Sequence, residues 1–260
     1  MGEQDRERRR VVRARFGPHA AAYVTSAGHA RGPSLARLLA LTDPDPAWRM
    51  LDVATGAGHV ALAFASRVRQ VIGWDVTVDM LAAARELAGR RGLANVAWAC
   101  GDAEALGFGA ASFDLVTCRL AAHHFRQPGR FLAECARLLA PGGRLAVVDN
   151  VVPDSEPVAR FMNAFERLRD PSHAACLSVA RWQALLEGTG FAVEATEILP
   201  KTMDFTQWTD AQQVPPATRE RLRRMLLEAP GAVRAALKPD VDGARIRFQL
   251  SEAVLVARRR

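Results

Sequence analysis

Leu51-Asp52-Val53-Ala54-Thr55-Gly56-Ala57-Gly58-His59 is the stretch that decides the fold. A short apolar run from Met50 ends in an acid, a glycine-rich turn follows, and the turn opens onto a helical pattern through Leu62 and Ala65. Glycine lets such a turn bend tightly and lets a ligand approach the main chain. The free N–H groups at the start of the helix favour an anionic group. On its own the stretch does not name a ligand, because Gly56, Gly58 and Ala61 also fit the G-x-G-x-x-A fingerprint of nicotinamide enzymes.

Working outward, the same alternation repeats. Val71 to Asp75 reads as a second strand, and Met80, Leu81, Ala84, Leu87 and Ala88 mark one face of the helix after it. Asn95 to Cys100 and Phe113 to Cys118 read as strands three and four. The next helix buries Phe131, Leu132, Cys135, Leu138 and Leu139 and is expected to stop at Pro141-Gly142-Gly143, before a fifth strand over Arg144 to Val148. Upstream, residues 5 to 41 read as helices, closed by the breaker Asp43-Pro44-Asp45-Pro46. Downstream, 156–168, 179–187 and 215–237 read as helices, Phe191 to Ile198 as a strand, and Arg245 to Val256 as a long final strand with a break. Repeated strand–helix units imply a parallel sheet covered on both faces. The expected fold class is α/β, Rossmann-like and doubly wound. Its sheet is expected to have seven strands, mostly parallel, with an antiparallel last strand and a helical cover.

Composition fits one large domain. The chain has 260 residues, 49% hydrophobic and 24% charged, enough for a full core. Its parts are expected to be an N-terminal helical lid (1–45), a cofactor-binding core (46–152) and a segment completing the sheet and covering the substrate (153–260). The formal net charge is +7, carried almost wholly by arginine, since lysine occurs only at Lys201 and Lys238. Much of the excess sits at the ends, from Arg6 to Arg15 and at Arg258, Arg259 and Arg260. Without interleaved aromatics or a nucleic-acid motif, these read as solvated termini, which speaks against a nucleic-acid partner. Cys100, Cys118 and Cys135 lie in apolar runs and read as buried small hydrophobes. No C-x-x-C pair or metal-ligand spacing stands out among the four cysteines, so no metal is expected. The charged start lacks a signal-peptide apolar region and no run is long enough to span a membrane, so the expected location is the cytoplasm. Oligomeric state is left open.

Three further segments separate the candidate cofactors. Gly101-Asp102-Ala103-Glu104 follows the third strand, where a carboxylate can accept from an adenine amino group. Ser112-Phe113-Asp114-Leu115-Val116-Thr117-Cys118-Arg119 and Leu138-Leu139-Ala140-Pro141-Gly142-Gly143-Arg144-Leu145 complete the set. In this order the motifs resemble class I S-adenosylmethionine-dependent methyltransferases, and among them the subgroup similar to ubiquinone/menaquinone-biosynthesis methyltransferases. The resemblance covers residues 16 to 200 and continues more weakly to 257. Ala54 stands where many members have the first glycine of the loop, and its small size implies little loss.

The resemblance implies transfer of a methyl group from S-adenosylmethionine to a small molecule on oxygen or carbon, with S-adenosylhomocysteine as product. It implies that Ala54, Thr55, Gly56 and Gly58 pass the methionine part and that Asp52 helps hold its ammonium. Asp75 would hold both ribose hydroxyls, Val76 and Met80 would pack on adenine, and Asp102 and Ala103 would meet its edge. The backbone at Cys118 and Arg119 would close the methionine end, and Tyr23 and Arg31 would belong to the lid. His123 and His124 follow the fourth strand, at the sheet edge where ligands bind. His titrates near neutral pH, so His124 is the preferred base, with His173 in Arg169-Asp170-Pro171-Ser172-His173 as the second candidate. Each could instead only orient its loop, and Asp170 could cap a helix or pair with Arg169. Trp182, Phe161, Phe165, Met162 and Trp208 are either an acceptor pocket or ordinary core. Two other function classes stay open: a cofactor-binding protein of this fold that catalyses a non-methylating step, and a nicotinamide-dependent oxidoreductase.

Overall fold

β1 (Arg49–Val53) lies at the centre of the sheet because every side chain after Arg49 is buried, on both faces. A computed structural model of the chain describes residues 3–25, 30 and 32–260. Before β1 come α1 (Glu3–Phe16), α2 (Ala20–Thr25) and α3 (Pro33–Thr42). The alternation then runs α4 (His59–Phe64), β2 (Gln70–Asp75), α5 (Val78–Arg90), β3 (Val96–Cys100), β4 (Phe113–Arg119), α6 (Pro128–Leu138) and β5 (Leu139–Val151). The cover and the rest of the sheet are α7 (Glu156–Arg169), α8 (Val179–Gly188), β6 (Phe191–Asp204), α9 (Phe205–Asp210), α10 (Pro216–Leu227), α11 (Gly231–Leu237), β7 (Asp240–Asp242) and β8 (Arg245–Arg259).

The strand order is β3-β2-β1-β4-β5-β8-β6, with β7 paired to β8. β1 to β5 are mutually parallel, and β8 runs antiparallel to both β5 and β6. The α/β, mostly parallel architecture is therefore as the sequence implied, with an eighth strand added. That strand is three exposed residues, too short to leave an alternating pattern.

Period-two alternation sorts the core. Leu51, Val53, Val116 and Val147 face one side, against Phe131 and Leu132 of α6 and Trp182 of α8. Met50, Leu115, Ala146 and Val148 face the other, against Leu35 and Leu38 of α3 and Phe64 of α4. A separate cluster joins α7, α9, α10 and α11 to the free end of β8, where Phe165 stacks on Trp208 with ring centroids 4.8 Å apart. Burying a large apolar side chain stabilises by ~1.5–3 kcal/mol, so these aromatics anchor the cover. Of the two readings left open for Trp182, Phe165, Met162 and Trp208, the core one holds: all four are buried in the clusters.

Several boundaries differ from the sequence reading. α6 stops at Leu138, and Pro141-Gly142-Gly143 forms an irregularity inside β5, where Phe113 pairs with Leu139 and Leu115 with Arg144. β6 runs on past Ile198 through Pro200 to Asp204, because it is an edge strand, and an edge tolerates proline. Pro230 divides the expected 215–237 helix into α10 and α11. β8 is unbroken. Cys100 is exposed rather than buried, whereas Cys118, Cys135 and Cys176 are buried. Among the described residues, no helix is long and apolar enough to cross a membrane.

Candidate active site

Because β1 to β5 are parallel, their C-terminal ends lie along one edge of the sheet. That edge carries Asp52, Asp75, Asp102 just after β3, Arg119 and Asp149. The first four, with Ala54 to Ala57, line one cleft of about 1040 Å³ including its open mouth. Open α/β sheets bind ligands at this edge.

The turn after β1 is shaped for close approach. Gly58 has φ 81°, and a Cβ there would sit 2.7 Å from the Trp98 ring. Ala54 has φ 53°, in the left-handed region. The expectation that alanine costs little there needs correction. Size is not the issue; a left-handed conformation costs an L-residue ~1–2 kcal/mol. Leu120, another cleft residue, is also left-handed at φ 55°. Such strain concentrates at functional edges.

Asp52 is buried, and its oxygens accept from Thr117 Oγ1 (2.7 Å), Thr55 Oγ1 (2.6 Å) and the Ala61 N–H (3.2 Å). Burial pushes its pKa up to about 6, against the pull of those donors. Asp75 accepts from the Gly56 and Thr77 N–H groups, each at 2.8 Å, and burial raises it too. Asp102 accepts from the Glu104 N–H (2.9 Å) and pairs with Arg9 Nε at 2.9 Å. Gly101 precedes it because a Cβ there would lie 1.8 Å from the Trp74 ring, which itself lines the cleft.

Arg9 belongs to α1, and this helix overturns the solvated-terminus reading. Arg13 Nε donates to the Val76 carbonyl (2.8 Å), Arg15 donates to the Gln212 carbonyl (2.6 Å), and Val12 and Phe16 line the cleft. The arginines of α1 thus tie a roof over the strand ends.

Of the other sequence candidates, Tyr23, Val76, Met80, Ala103 and His124 line the same cleft. Phe16 meets Tyr23 and His124 edge to face, at 5.8 and 5.2 Å between centroids. Arg31 lies outside the described residues, as does His29. Cys118 is fully buried behind the cleft rather than among its lining residues.

His173 also lies off the cleft lining. Its Nε2 is held by Asn163 Oδ1 at 2.8 Å and burial pushes its pKa down to about 3; of the two base candidates, His124 is the one among the cleft-lining residues. His123 packs between the two other imidazoles, 4.2 Å from His124 and 5.6 Å from His173. Burial alone would lower His123, but the Asp149 carboxylate, 2.6 Å from its Nδ1, outweighs burial and raises it. His124 is held well below its ordinary value, first by burial and then by the charge on His123.

Sequence reasoning missed Asp149, although it lies near the end of β5 as Asp52 lies near the end of β1. It also missed Trp74 and His59, whose ring bonds the Tyr23 carbonyl at 2.8 Å, while Phe16, which opens the lid segment running to Tyr23, lines the cleft. Nothing in their local sequence marks Trp74 or His59 as lining residues. Among the described residues, no group of His, Cys, Asp or Glu could hold a metal ion.

Comparison with known proteins agrees with this geometry. A family described as a methyltransferase domain matches residues 51–147, the span from β1 into β5. The chain is 35% identical over 206 residues to an uncharacterized methyltransferase, YcgJ, of Bacillus subtilis, covering 79% of this chain and 81% of that one. The crystal structure of the YcgJ protein superimposes with a TM-score of 0.84 over 87% of this chain and 98% of the other, at 31% identity. A demethylmenaquinone methyltransferase of Deinococcus radiodurans is 41% identical over 109 residues, 41% of this chain and 45% of its own. An α/β sheet with its cleft at the strand ends, and a match to YcgJ along most of both chains, make this protein a member of the class I methyltransferase family.

Proposed function

We propose that the chain transfers the methyl group of S-adenosylmethionine to the oxygen or carbon of a small-molecule acceptor. One observation carries this reading. Asp52, Asp75 and Asp102, from three successive strand ends, open into a single cleft that also holds His124. That spacing fits an extended adenosyl–amino-acid ligand. Asp75 would hold the ribose, Val76 and Met80 the adenine faces, and Asp102 and Ala103 the adenine edge. Asp52 and the turn from Ala54 to Gly58 would hold the methionine part, with the backbone at Cys118 and Arg119 closing it. Tyr23, and Arg31 from the lid, would cover the site.

The bound sulfonium supplies an activated methyl group. The protein's own task is to hold the acceptor atom in line at ~3 Å and to take its proton. His124 is placed for the second role, since it lines the cleft and burial keeps it neutral.

A thermal-shift comparison tests the cofactor. S-adenosylhomocysteine at 100 times its Kd should stabilise by ~2.7 kcal/mol, which for a chain of this size raises Tm by roughly 5–10 °C. NAD should give no shift. Stabilisation by NAD alone would replace this reading with the oxidoreductase one.

Cofactor affinity should also depend on pH through Asp52. Its carboxyl is ionised above about 6 and attracts an ammonium only in that form. As pH falls through that value, affinity for S-adenosylhomocysteine should drop by up to about tenfold per unit. 5′-Methylthioadenosine, which has no ammonium, should lose less. Parallel pH profiles for the two ligands would remove Asp52 from the ammonium site.

A further inference from the structure

We propose that Ser172 and Asp170, in the segment between α7 and α8, are positioning residues that fix which nitrogen of His124 carries the proton. The proposal rests on His124 as the base of the proposed reaction. It adds two residues with no direct role at the acceptor.

The argument is one of donors and acceptors. His124 Nδ1 lies 3.1 Å from the Ser172 carbonyl oxygen and 3.2 Å from Ser172 Oγ. A carbonyl oxygen only accepts, so Nδ1 must donate and therefore holds the hydrogen. The Ser172 hydroxyl agrees. It donates its own proton to Asp170 Oδ1 at 2.6 Å, which leaves Oγ an acceptor toward His124. A neutral imidazole protonated at Nδ1 has its lone pair at Nε2. Among the described residues, no protein atom bonds His124 Nε2, and the ring lines the cleft.

The segment is fastened to hold this register. The Ala174 and Ala175 N–H groups donate to the His123 carbonyl at 2.8 and 3.1 Å. Asn163 of α7 accepts from the Cys176 N–H (2.6 Å) and donates to the Cys176 carbonyl (3.1 Å). Asp170 is buried, accepts a second bond from the Ser172 N–H at 2.9 Å, and has Arg15 Nε of α1 at 3.8 Å. The motif thus does more than cap a helix. It forms an Asp170–Ser172–His124 relay alongside the separate Asp149–His123 pair.

Imidazole ¹⁵N NMR of the histidine-labelled, full-length protein with S-adenosylhomocysteine bound tests this without any acceptor. His124 resonances are assigned by their loss in His124→Gln. In the native protein at pH 7, His124 should show a protonated Nδ1 and an unprotonated Nε2. Ser172→Ala keeps the carbonyl acceptor and loses the hydroxyl one, so Nδ1–H should stay the major form while an Nε2–H fraction absent from the native protein appears, with S-adenosylhomocysteine affinity within about twofold; Ser172→Thr should remove that fraction. A native ring protonated at Nε2, or at both nitrogens, overturns the proposal, as does a Ser172→Ala spectrum identical to the native one. The failure of His124 as base would be seen separately, as undiminished methyl transfer by His124→Gln while the native protein shows the Nδ1–H tautomer.

Discussion

Replacing His124 with alanine should slow methyl transfer by ~10²–10⁴-fold, the usual contribution of a positioned proton acceptor, while S-adenosylhomocysteine binds within about threefold of its native affinity. The asymmetry follows from geometry. The expected ribose and adenine contacts involve Asp75, Asp102 and their neighbours on β2 and β3, whereas His124 follows β4 and packs against Phe16 of α1. The ring lines the cleft, and burial and the His123 charge keep it neutral, so its free lone pair faces no proton of its own at pH 7. The effect should be confined to kcat for an acceptor whose hydroxyl or carbon must lose a proton. The measurement is transfer of labelled methyl from S-adenosylmethionine to a panel of phenols, enols and carbon acids, using whichever turns over with the native protein. Because His124 is packed against Phe16 and Ser172, Tm and S-adenosylhomocysteine affinity serve as controls for local collapse. A variant that turns over at the native rate with native affinity would leave the site without this base.

The central sheet was readable because its strands are short continuous apolar runs bounded by glycine, proline or acidic residues. Burial on both faces demands that pattern. Asp52, Asp75 and Asp102 stood out for the same reason: each interrupts an apolar strand end with a charge. The histidine network did not stand out in this way. Asp149 meets His123 because β5 pairs alongside β4, and Ser172 meets His124 because the chain after α7 folds back over the end of β4; local sequence records neither contact. The arginines of α1 failed for a related reason. A helix carrying Arg8, Arg9, Arg10, Arg13 and Arg15 reads as solvated, yet its partners are the Asp102 carboxylate and two main-chain carbonyls far along the chain. The aromatic residues of the cover were ambiguous in the opposite direction. Phe165 and Trp208 have the spacing of a pocket or of a core, and their stacking on each other and edge-to-face contact with Phe248 decide for the core. At Ala54, side-chain size was legible and backbone angle was not.

Asp75→Ala should weaken S-adenosylhomocysteine binding by roughly tens- to a hundred-fold. In the native protein Asp75 Oδ2 accepts the Gly56 N–H and Oδ1 the Thr77 N–H. Each oxygen keeps capacity for a second donor, and the residue lines the cleft. A hydrogen bond to a charged group contributes ~1.5–3 kcal/mol, so losing one such bond to a ribose hydroxyl is worth ~10- to 150-fold and losing two is worth more. A second route to weak binding has to be separated from this one. The same carboxylate tethers Gly56, so its removal also loosens the turn between β1 and α4. A 2′-deoxyribose analogue of S-adenosylhomocysteine distinguishes the two. If Asp75 grips the hydroxyls, the analogue binds the native protein more weakly than the parent ligand, and the two ligands bind Asp75→Ala about equally, a coupling that a double-mutant cycle isolates. If the turn alone is at fault, the deoxy analogue keeps its full disadvantage in the variant. Calorimetry showing unchanged affinity for S-adenosylhomocysteine in a folded Asp75→Ala protein would take the ribose away from β2, and with it the assignment of Val76 and Met80 to the adenine.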